Sequence, residues 1–188
     1  MRIISGLARG TKLYTLDGEN TRPTLDRVKE PLFSIIQTEI KDALVLDLFA
    51  GSGALALEAL SRGAKKAVLC DKSYEAIKVI KQNIDKTHFK EKAEAYCLDY
   101  KKCLFTVKDK FDIIFIDPPY KLDLAIKSLQ IILDNDLLSR DGLIIIETDD
   151  KDRELQQIEN MNNNNIKIVD QRTYGRVNLI FLKKEERG

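Results

Sequence analysis

The sequence lacks the features that mark secreted, membrane-spanning and metal-binding proteins. Its 188 residues include only three cysteines and one histidine, and the cysteines do not have the spacing of metal ligands. We therefore expect no metal site, reduced thiols and a cytoplasmic location. No apolar run approaches the ~20 residues that a transmembrane helix needs. Residues 1–10 also lack the long apolar stretch of a signal peptide, so we expect no membrane association.

The chain also has little net charge and few loop-forming residues. Its 31 basic and 30 acidic residues leave a formal charge of +1, so any nucleic-acid-binding surface must be local rather than a property of the whole chain. Only 9 glycines and 4 prolines accompany 44% hydrophobic residues, which is typical of a globular protein. The length predicts one domain, residues 1–188, with residues 1–20 as an extension of a core formed by residues 21–188.

From residue 43 onward, β-rich runs alternate with stretches whose apolar residues recur at helical spacing. The predicted strands are residues 43–48, 66–71, 93–98, 111–117 and 143–147, and the predicted helices are residues 54–62, 74–86, 101–107 and 122–133. This alternation predicts an α/β fold, a mostly parallel sheet with helices on both faces.

The two ends depart from this alternation. Residues 2–16, around Gly6 and Gly10, predict a small β-hairpin. Residues 24–37 predict a helix, but Pro31 inside it lacks an N–H donor, so we expect a kink or a later start. Residues 166–171 and 177–182 predict a final pair of strands.

A glycine-rich loop follows the first core strand. Gly51 and Gly53 allow a tight turn and a close approach of the backbone to a ligand, and Ala56 is small enough for close helix packing. Asp71 ends the next strand 20 residues after Gly51, where it can accept hydrogen bonds from ribose hydroxyls. The loop and the acid predict a nucleotide-like cofactor, either NAD or S-adenosylmethionine.

Asp47, immediately before this loop, favours the second cofactor. Its carboxylate would repel the pyrophosphate of a dinucleotide, whereas it would attract the ammonium group of an amino-acid moiety. Asp99, after the third strand, could accept a hydrogen bond from the adenine amine. A helix-capping role explains Asp99 equally well.

The motif Asp117-Pro118-Pro119-Tyr120 ends the most apolar strand. Two prolines can simply terminate a strand, but the acid and the aromatic residue beside them suggest chemistry at a sheet edge where ligands bind. The Asp117 carboxylate and the Pro118 carbonyl could both accept N–H groups of a planar exocyclic amine and stabilise its developing positive charge. Tyr120 could stack on a flipped-out base.

With these motifs, the sequence resembles the S-adenosylmethionine-dependent methyltransferases, and among them the RsmD type, which methylates the N2 amine of a guanine in 16S ribosomal RNA. The segments that carry the resemblance are residues 22–30 (RPTLDRVKE), 47–64 (DLFAGSGALALEALSRGA) and 117–120 (DPPY). The sequence departs from the family pattern at Ala56, where glycine is usual, at Asp71, where glutamate is commoner, and at Pro31.

The resemblance implies a Rossmann-like sheet of seven strands, with the last strand antiparallel, and ribosomal RNA as the substrate, free or within a partly assembled small subunit. The cofactor-binding residues that it implies are Thr24, Asp47, Phe49, Gly51, Ser52, Gly53, Asp71 and Asp99. Arg22 would lie at the mouth of the active site, and Pro119 and Tyr120 would contact the base. We expect a monomer.

The first 29 residues are locally basic and could contact RNA phosphates, with Arg9 as one candidate. An ordinary solvated surface explains the same charges equally well. The six cations in question are Arg2, Arg9, Lys12, Arg22, Arg27 and Lys29.

Three other functions fit parts of this pattern. The same chemistry could act on the N6 amine of adenine in RNA or DNA. A dehydrogenase would need a hydride-transfer set that the sequence does not offer, and a catalytically silent RNA-binding module would not need an intact Asp-Pro-Pro-Tyr motif.

Overall fold

The computed structural model describes residues 1–16, 23–119, 123–161 and 165–185, with the backbone alone for residues 23–26. These residues form seven helices and seven strands. In chain order the elements are α1 (Pro23–Ile35), α2 (Gln37–Ile40), β1 (Leu44–Asp47), α3 (Ala54–Ser61), β2 (Lys66–Asp71), α4 (Tyr74–Thr87), β3 (Ala93–Cys97), α5 (Tyr100–Thr106), β4 (Phe111–Ile116), α6 (Leu124–Asp134), β5 (Leu138–Thr148), α7 (Lys151–Asn160), β6 (Ile166–Tyr174) and β7 (Val177–Lys184). None of the helices in these ranges is long and apolar enough to span a membrane.

All seven strands join one sheet in the order β3-β2-β1-β4-β5-β7-β6. The first five strands in this order are parallel to one another. The last strand, β7, inserts between β5 and β6 and runs antiparallel to both. The predicted seven-stranded, mostly parallel sheet with an antiparallel last strand is therefore confirmed.

Two apolar clusters cover the two faces of the sheet. Along β4, Ile113 and Phe115 belong to the cluster that includes α1, α3 and α4. Ile114 and Ile116 belong to the other, with α5, α6 and α7. Because both faces of β4 are buried, its side chains are apolar without alternation, as the sequence indicated.

Helix α1 accommodates its internal proline. The helix begins at Pro23, one residue before the predicted range, so Pro31 does not delay its start. It continues for four residues beyond Pro31, ends at Ile35 and is followed by the short helix α2. Val28, Leu32 and Phe33 are buried, and their packing offsets the hydrogen bond that the proline cannot donate.

The predicted N-terminal hairpin is reduced to a single antiparallel bridge between Arg2 and Lys12. Residues 5–10 turn against the end of α3 instead of extending as strands. The Leu7 N–H donates to the Ser61 carbonyl at 2.8 Å. Gly6 has a φ of 84°, and a Cβ there would lie 1.8 Å from the Ser61 oxygen. This contact with α3 satisfies backbone groups that a regular hairpin would pair within itself.

Two elements near the C-terminus differ from the prediction. Helix α7 was missed because Leu155 and Ile158 are its only large apolar residues, too few to give a helical period. Strand β5 begins at Leu138 rather than at residue 143. Its first part, interrupted by the polar Asp141 and by Gly142, does not have an apolar strand pattern.

Candidate active-site cleft

Acidic residues stand at or near the carboxyl ends of five neighbouring strands. In the order of β3, β2, β1, β4 and β5 they are Asp99, Asp71, Asp47, Asp117 and Glu147. A row of carboxylates at one edge produces a negative potential that favours a cationic ligand. We call the ends of β1, β2 and β3 the glycine-loop side and the ends of β4 and β5 the proline-loop side.

The loop after β1 has a backbone that only glycine adopts easily. Gly51 has a φ of 54°, and a Cβ built on it meets no atom within 4 Å, so this face of the loop is open. Gly53 has a φ of 80°, and a Cβ there would lie 2.8 Å from Leu69 Cδ2. The first glycine therefore leaves room for a ligand, while the second allows α3 to begin close to β2.

Asp71 holds this loop in place. Its Oδ2 accepts a hydrogen bond from the Gly51 N–H at 3.0 Å, and its Oδ1 accepts one from the Ser73 N–H at 2.8 Å. The Asn83 amide donates to the Ser52 carbonyl at 2.9 Å and ties the loop to α4. Each Asp71 oxygen keeps a further lone pair that can accept a ligand hydroxyl.

Asp47 is a buried carboxyl group, with 1% of its surface exposed. Burial raises its pKa to about 7, a hydrogen bond from the Ala56 N–H opposes that rise, and the charge of Asp71 adds to it. The distance from the Ala56 nitrogen to Asp47 Oδ2 is 3.3 Å. A cationic ligand beside Asp47 would favour the ionised form and lower the pKa again.

Asp99 caps helix α5. Its Oδ1 accepts hydrogen bonds from the Lys101 N–H at 2.9 Å and the Lys102 N–H at 3.1 Å. The Phe49 and Tyr100 rings lie near it, with centroids 5.8 Å apart. The structure therefore confirms the capping role of Asp99, and its contact with adenine stays a prediction.

The proline-loop side contains the first three residues of the Asp-Pro-Pro-Tyr motif. Asp117 is half-buried, Pro118 is buried and Pro119 is exposed. The two prolines line an open cleft with the first turns of α6 and α7 and the end of β5. Tyr120 lies outside the described residues, so its stacking role stays a prediction.

The ends of β1 and β4 are neighbours, which brings the glycine loop and the proline loop to one place. Asp47 pairs in register with Phe115, two residues before Asp117. The Leu48 N–H also donates to the Phe115 carbonyl at 3.1 Å. The structure thus brings the two motifs together at the sheet edge.

Glu147 is a candidate that the sequence reading missed. It is buried near the end of β5 and lines both the cleft at the prolines and a second cleft beside Met1, Lys29 and the first turn of α3. An acid directly after the apolar run of residues 143–146 repeats the pattern that singled out Asp117. This repeated pattern is the sequence feature that could have identified Glu147 as a candidate.

The basic residues that were predicted to contact RNA differ in their exposure and position. Lys29 is only 2% exposed and forms an ion pair with the buried Glu58 at 3.2 Å, so the prediction that Lys29 belongs to a basic RNA-contacting surface was wrong. Arg9 is exposed in the turn at the C-terminal end of α3. The eight residues of α3 separate it from the glycine loop by ~12 Å. Arg22 and the Thr24 side chain lie outside the described residues.

The comparisons with known proteins agree with this arrangement. The model of a family described as "Conserved hypothetical protein 95" matches residues 1–183. The chain is 40% identical over 164 residues to the ribosomal RNA small subunit methyltransferase D of Haemophilus influenzae, covering 85% of this chain and 84% of that protein. It is 36% identical over 188 residues to a Bacillus subtilis protein provisionally named rRNA methyltransferase YlbH, covering 98% and 99% of the two chains.

A solved structure supports the same relationship over the whole length. An Escherichia coli protein provisionally named methyltransferase yhhF superposes with a TM-score of 0.84 at 32% identity, and the match covers 100% of this chain and 99% of that one. The family match, the sequence identity and the superposition lead to one conclusion. This chain belongs to the RsmD-type methyltransferase family.

Proposed function

We propose that this protein transfers a methyl group from S-adenosylmethionine to the exocyclic N2 amine of a guanine in small-subunit (16S) ribosomal RNA. The observation that carries the proposal is the meeting of the glycine loop and the Asp-Pro-Pro segment at the ends of two paired strands, β1 and β4. The named activity of the Haemophilus influenzae relative, a ribosomal RNA small subunit methyltransferase, supports the choice of substrate.

The residues of the glycine-loop side fit this cofactor. The open face of Gly51 offers the room that a ligand needs, and the fixed Asp71 carboxylate has lone pairs for the ribose hydroxyls. Asp47 suits the ammonium of the methionine part, which Phe49, Ser52 and Gly53 surround. Two further residues would complete the site. Thr24 would lie near the cofactor, and Asp99 would accept a hydrogen bond from the adenine amine. When bound, the cofactor supplies a methyl group on a positively charged sulfur.

The proline-loop side would orient the amine. The lone pair of an exocyclic amine is delocalised into the base, so acceptors for its two N–H groups help to direct that lone pair. The Asp117 carboxylate and the Pro118 carbonyl are such acceptors, and proline has no N–H to compete. The carboxylate also stabilises the positive charge that develops on nitrogen, and the excess proton leaves through it or to water.

The remaining predicted residues would hold the RNA around that amine. Tyr120 stacks on the flipped base and Pro119 contacts it. Arg22 would act at the mouth of the cleft, and Arg9 would meet a backbone phosphate farther away. The substrate is ribosomal RNA, free or in a partly assembled small subunit, and the enzyme acts as a monomer.

The direct test uses ribosomal RNA from a strain that lacks this gene. The RNA is incubated with the purified protein and methyl-labelled cofactor, digested to nucleosides and separated. We expect label in N2-methylguanosine of the small-subunit RNA. Label in N6-methyladenosine would show that the target is adenine and not guanine. The small ribosomal subunit from the same strain is tested in parallel, and absence of label in both the RNA and the subunit would reject the function.

A further inference from the structure

The cleft beside Pro118 and Pro119 is lined by a carboxyl group, one oxygen of which has no partner among the described residues. Glu154, on the first turn of α7, lines this cleft and is only 8% exposed. Its Oε2 atom is buried and has no hydrogen-bond partner among the described residues. Buried polar atoms in native proteins almost always have partners, so an unpaired carboxylate oxygen at this place requires an explanation.

The neighbours of Glu154 do not neutralise it. Arg153, the adjacent cation, forms an ion pair with Asp123 across the cleft. Asp123 also accepts a hydrogen bond from Gln157 Nε2 at 2.9 Å, which leaves Gln157 Oε1 as a second buried acceptor without a partner. Burial raises the pKa of Glu154, the charge of Arg153 lowers it, and the charges of Asp123, Asp150 and Asp149 raise it further. The raised pKa favours the protonated form in the free enzyme, and an N–H donor placed beside the group would favour the carboxylate.

Guanine presents donors on the edge that the proposed reaction must expose. Its N1–H lies directly beside the N2 amine, whereas the N1 atom of adenine is an acceptor that a carboxylate would repel. If the Asp117 carboxylate and the Pro118 carbonyl hold the N2 amine, the N1–H of the same base projects from the adjacent ring position. It then needs an acceptor other than these two groups. Pro118, Pro119 and Glu154 line the same cleft, so a base held at the prolines comes close to the Glu154 side chain.

We propose that Glu154 is the residue that selects guanine, because its carboxylate accepts a hydrogen bond from the N1–H of the target base. This inference rests on the proposed function and adds its specificity determinant. Since Oε2 is closed off from solvent, the side chain rotates into the cleft when the base enters. The energy cost of an unpaired buried acceptor in the free enzyme is thereby removed only when the correct base is bound.

The test compares two bases at the target position of a short RNA. One RNA carries guanine at the nucleotide located by the labelling experiment. The other carries 2-aminopurine, which keeps the N2 amine but has a bare N1. The Glu154→Gln variant is compared with Glu159→Gln, which changes an exposed glutamate on the same helix. Methylation rates are measured for both RNAs with wild type and both variants.

We expect Glu154→Gln to lower kcat/KM for the guanine RNA by roughly 10- to 100-fold, the effect of losing a hydrogen bond to a charged group. The preference for guanine over 2-aminopurine should fall by a similar factor, because the new amide can donate to the bare N1. Glu159→Gln should leave both values unchanged. If 2-aminopurine RNA is methylated too slowly to measure, the same preference is taken from dissociation constants in competition binding.

A structural role for Glu154 would give a different result. The variant would then lose activity equally on both RNAs and keep the wild-type preference, which would overturn the inference. Thermal melting of each variant separates misfolding from altered recognition. Glu154→Asp, which keeps the charge on a shorter side chain, should retain part of the preference if Glu154→Gln does not fold. Methylation of adenine by wild type would instead reject the proposed function.

Discussion

The glycine-loop side and the proline-loop side of the cleft satisfy their polar groups differently. At Asp71, both carboxylate oxygens accept backbone hydrogen bonds that hold the loop at Gly51 and Ser73 in position. At Glu154 and Gln157, buried acceptors remain without partners among the described residues. A site built for one invariant cofactor can be preorganised completely. A site that must admit one base and refuse another needs groups that only the correct base completes.

The largest loss of stability expected from a single substitution concerns the support of the glycine-loop side. Lys29 and Glu58 form a buried ion pair, and Lys29 also donates to the Arg2 carbonyl, which ties α1 and the N-terminal segment to α3. Lys29→Met removes one of the cations paired with the buried Glu58, while Arg62 still pairs with it at 2.7 Å. We therefore expect the free energy of unfolding to fall by about 3 kcal/mol, the lower end of the range for breaking a buried pair. Chemical denaturation measures this change.

The matched control for that prediction is Lys78→Met, which breaks an exposed pair with Glu75. We expect an effect of about 0.5 kcal/mol or less there, because solvent screens such pairs. Equal losses in the two variants would contradict the view that the Lys29–Glu58 pair holds this side together.

The next prediction breaks the proline-loop side alone. Asp117→Ala removes one of the two acceptors proposed for the amine, and we expect kcat to fall by roughly 10²–10³-fold, as for other charge-stabilising groups. Cofactor affinity, measured by calorimetry, should stay near the wild-type value because the glycine loop is intact. Asp109→Ala, at an exposed site before β4, is the control. Near-normal turnover of the first variant would reject the role of Asp117.

A third prediction uses pH to examine Asp47, the buried carboxyl group of the glycine-loop side. Burial holds the pKa of Asp47 at about 7, above its ordinary value of 3.8. The folded state therefore binds a proton that the unfolded state has released between these values, so the stability from this group is present below pH ~4 and is lost as pH rises through 7. The loss is about 4 kcal/mol.

Melting curves at several pH values check this expectation. Asp47→Asn cannot ionise, so without cofactor its melting temperature should depend less on pH than that of wild type, whereas Asp42→Asn, at an exposed position, should keep the wild-type dependence. Cofactor affinity of the wild type should increase as pH rises through 7. A pH dependence unchanged in Asp47→Asn would show that other groups cause it.

The smallest expected effect comes from adding one methyl group to a glycine, on the glycine loop or outside it. Gly51→Ala and Gly10→Ala both place a side chain at positive φ, at 54° and 85°, and in both cases a Cβ meets no atom within 4 Å. Each should cost about 1–2 kcal/mol of stability. Only Gly51→Ala should also weaken cofactor binding, because its methyl group enters the open face of the loop. A similar loss of affinity in both variants would argue against a ligand at that face.

Local patterns predicted which acidic residues meet at one edge of the sheet, because each of them stands at or near the end of a strand. Asp47, Asp71 and Asp117 each follow an apolar run, and the carboxyl ends of parallel strands share one edge of the sheet. Glu147 has the same pattern and was overlooked. Glu154 has no such pattern, since it lies on a polar helix whose few apolar residues give no helical period.

The sequence by itself determined the α/β architecture, the glycine loop after β1 and the position of Asp-Pro-Pro-Tyr after β4, because periodicity and turn chemistry act over a few residues. Only the tertiary structure decided that Lys29 is buried against Glu58, that residues 5–10 close on Ser61 and that Oε2 of Glu154 has no partner in the described part of the chain. These features depend on which residues, far apart in the sequence, are buried against one another. Desolvation of that kind is set by packing and not by local sequence.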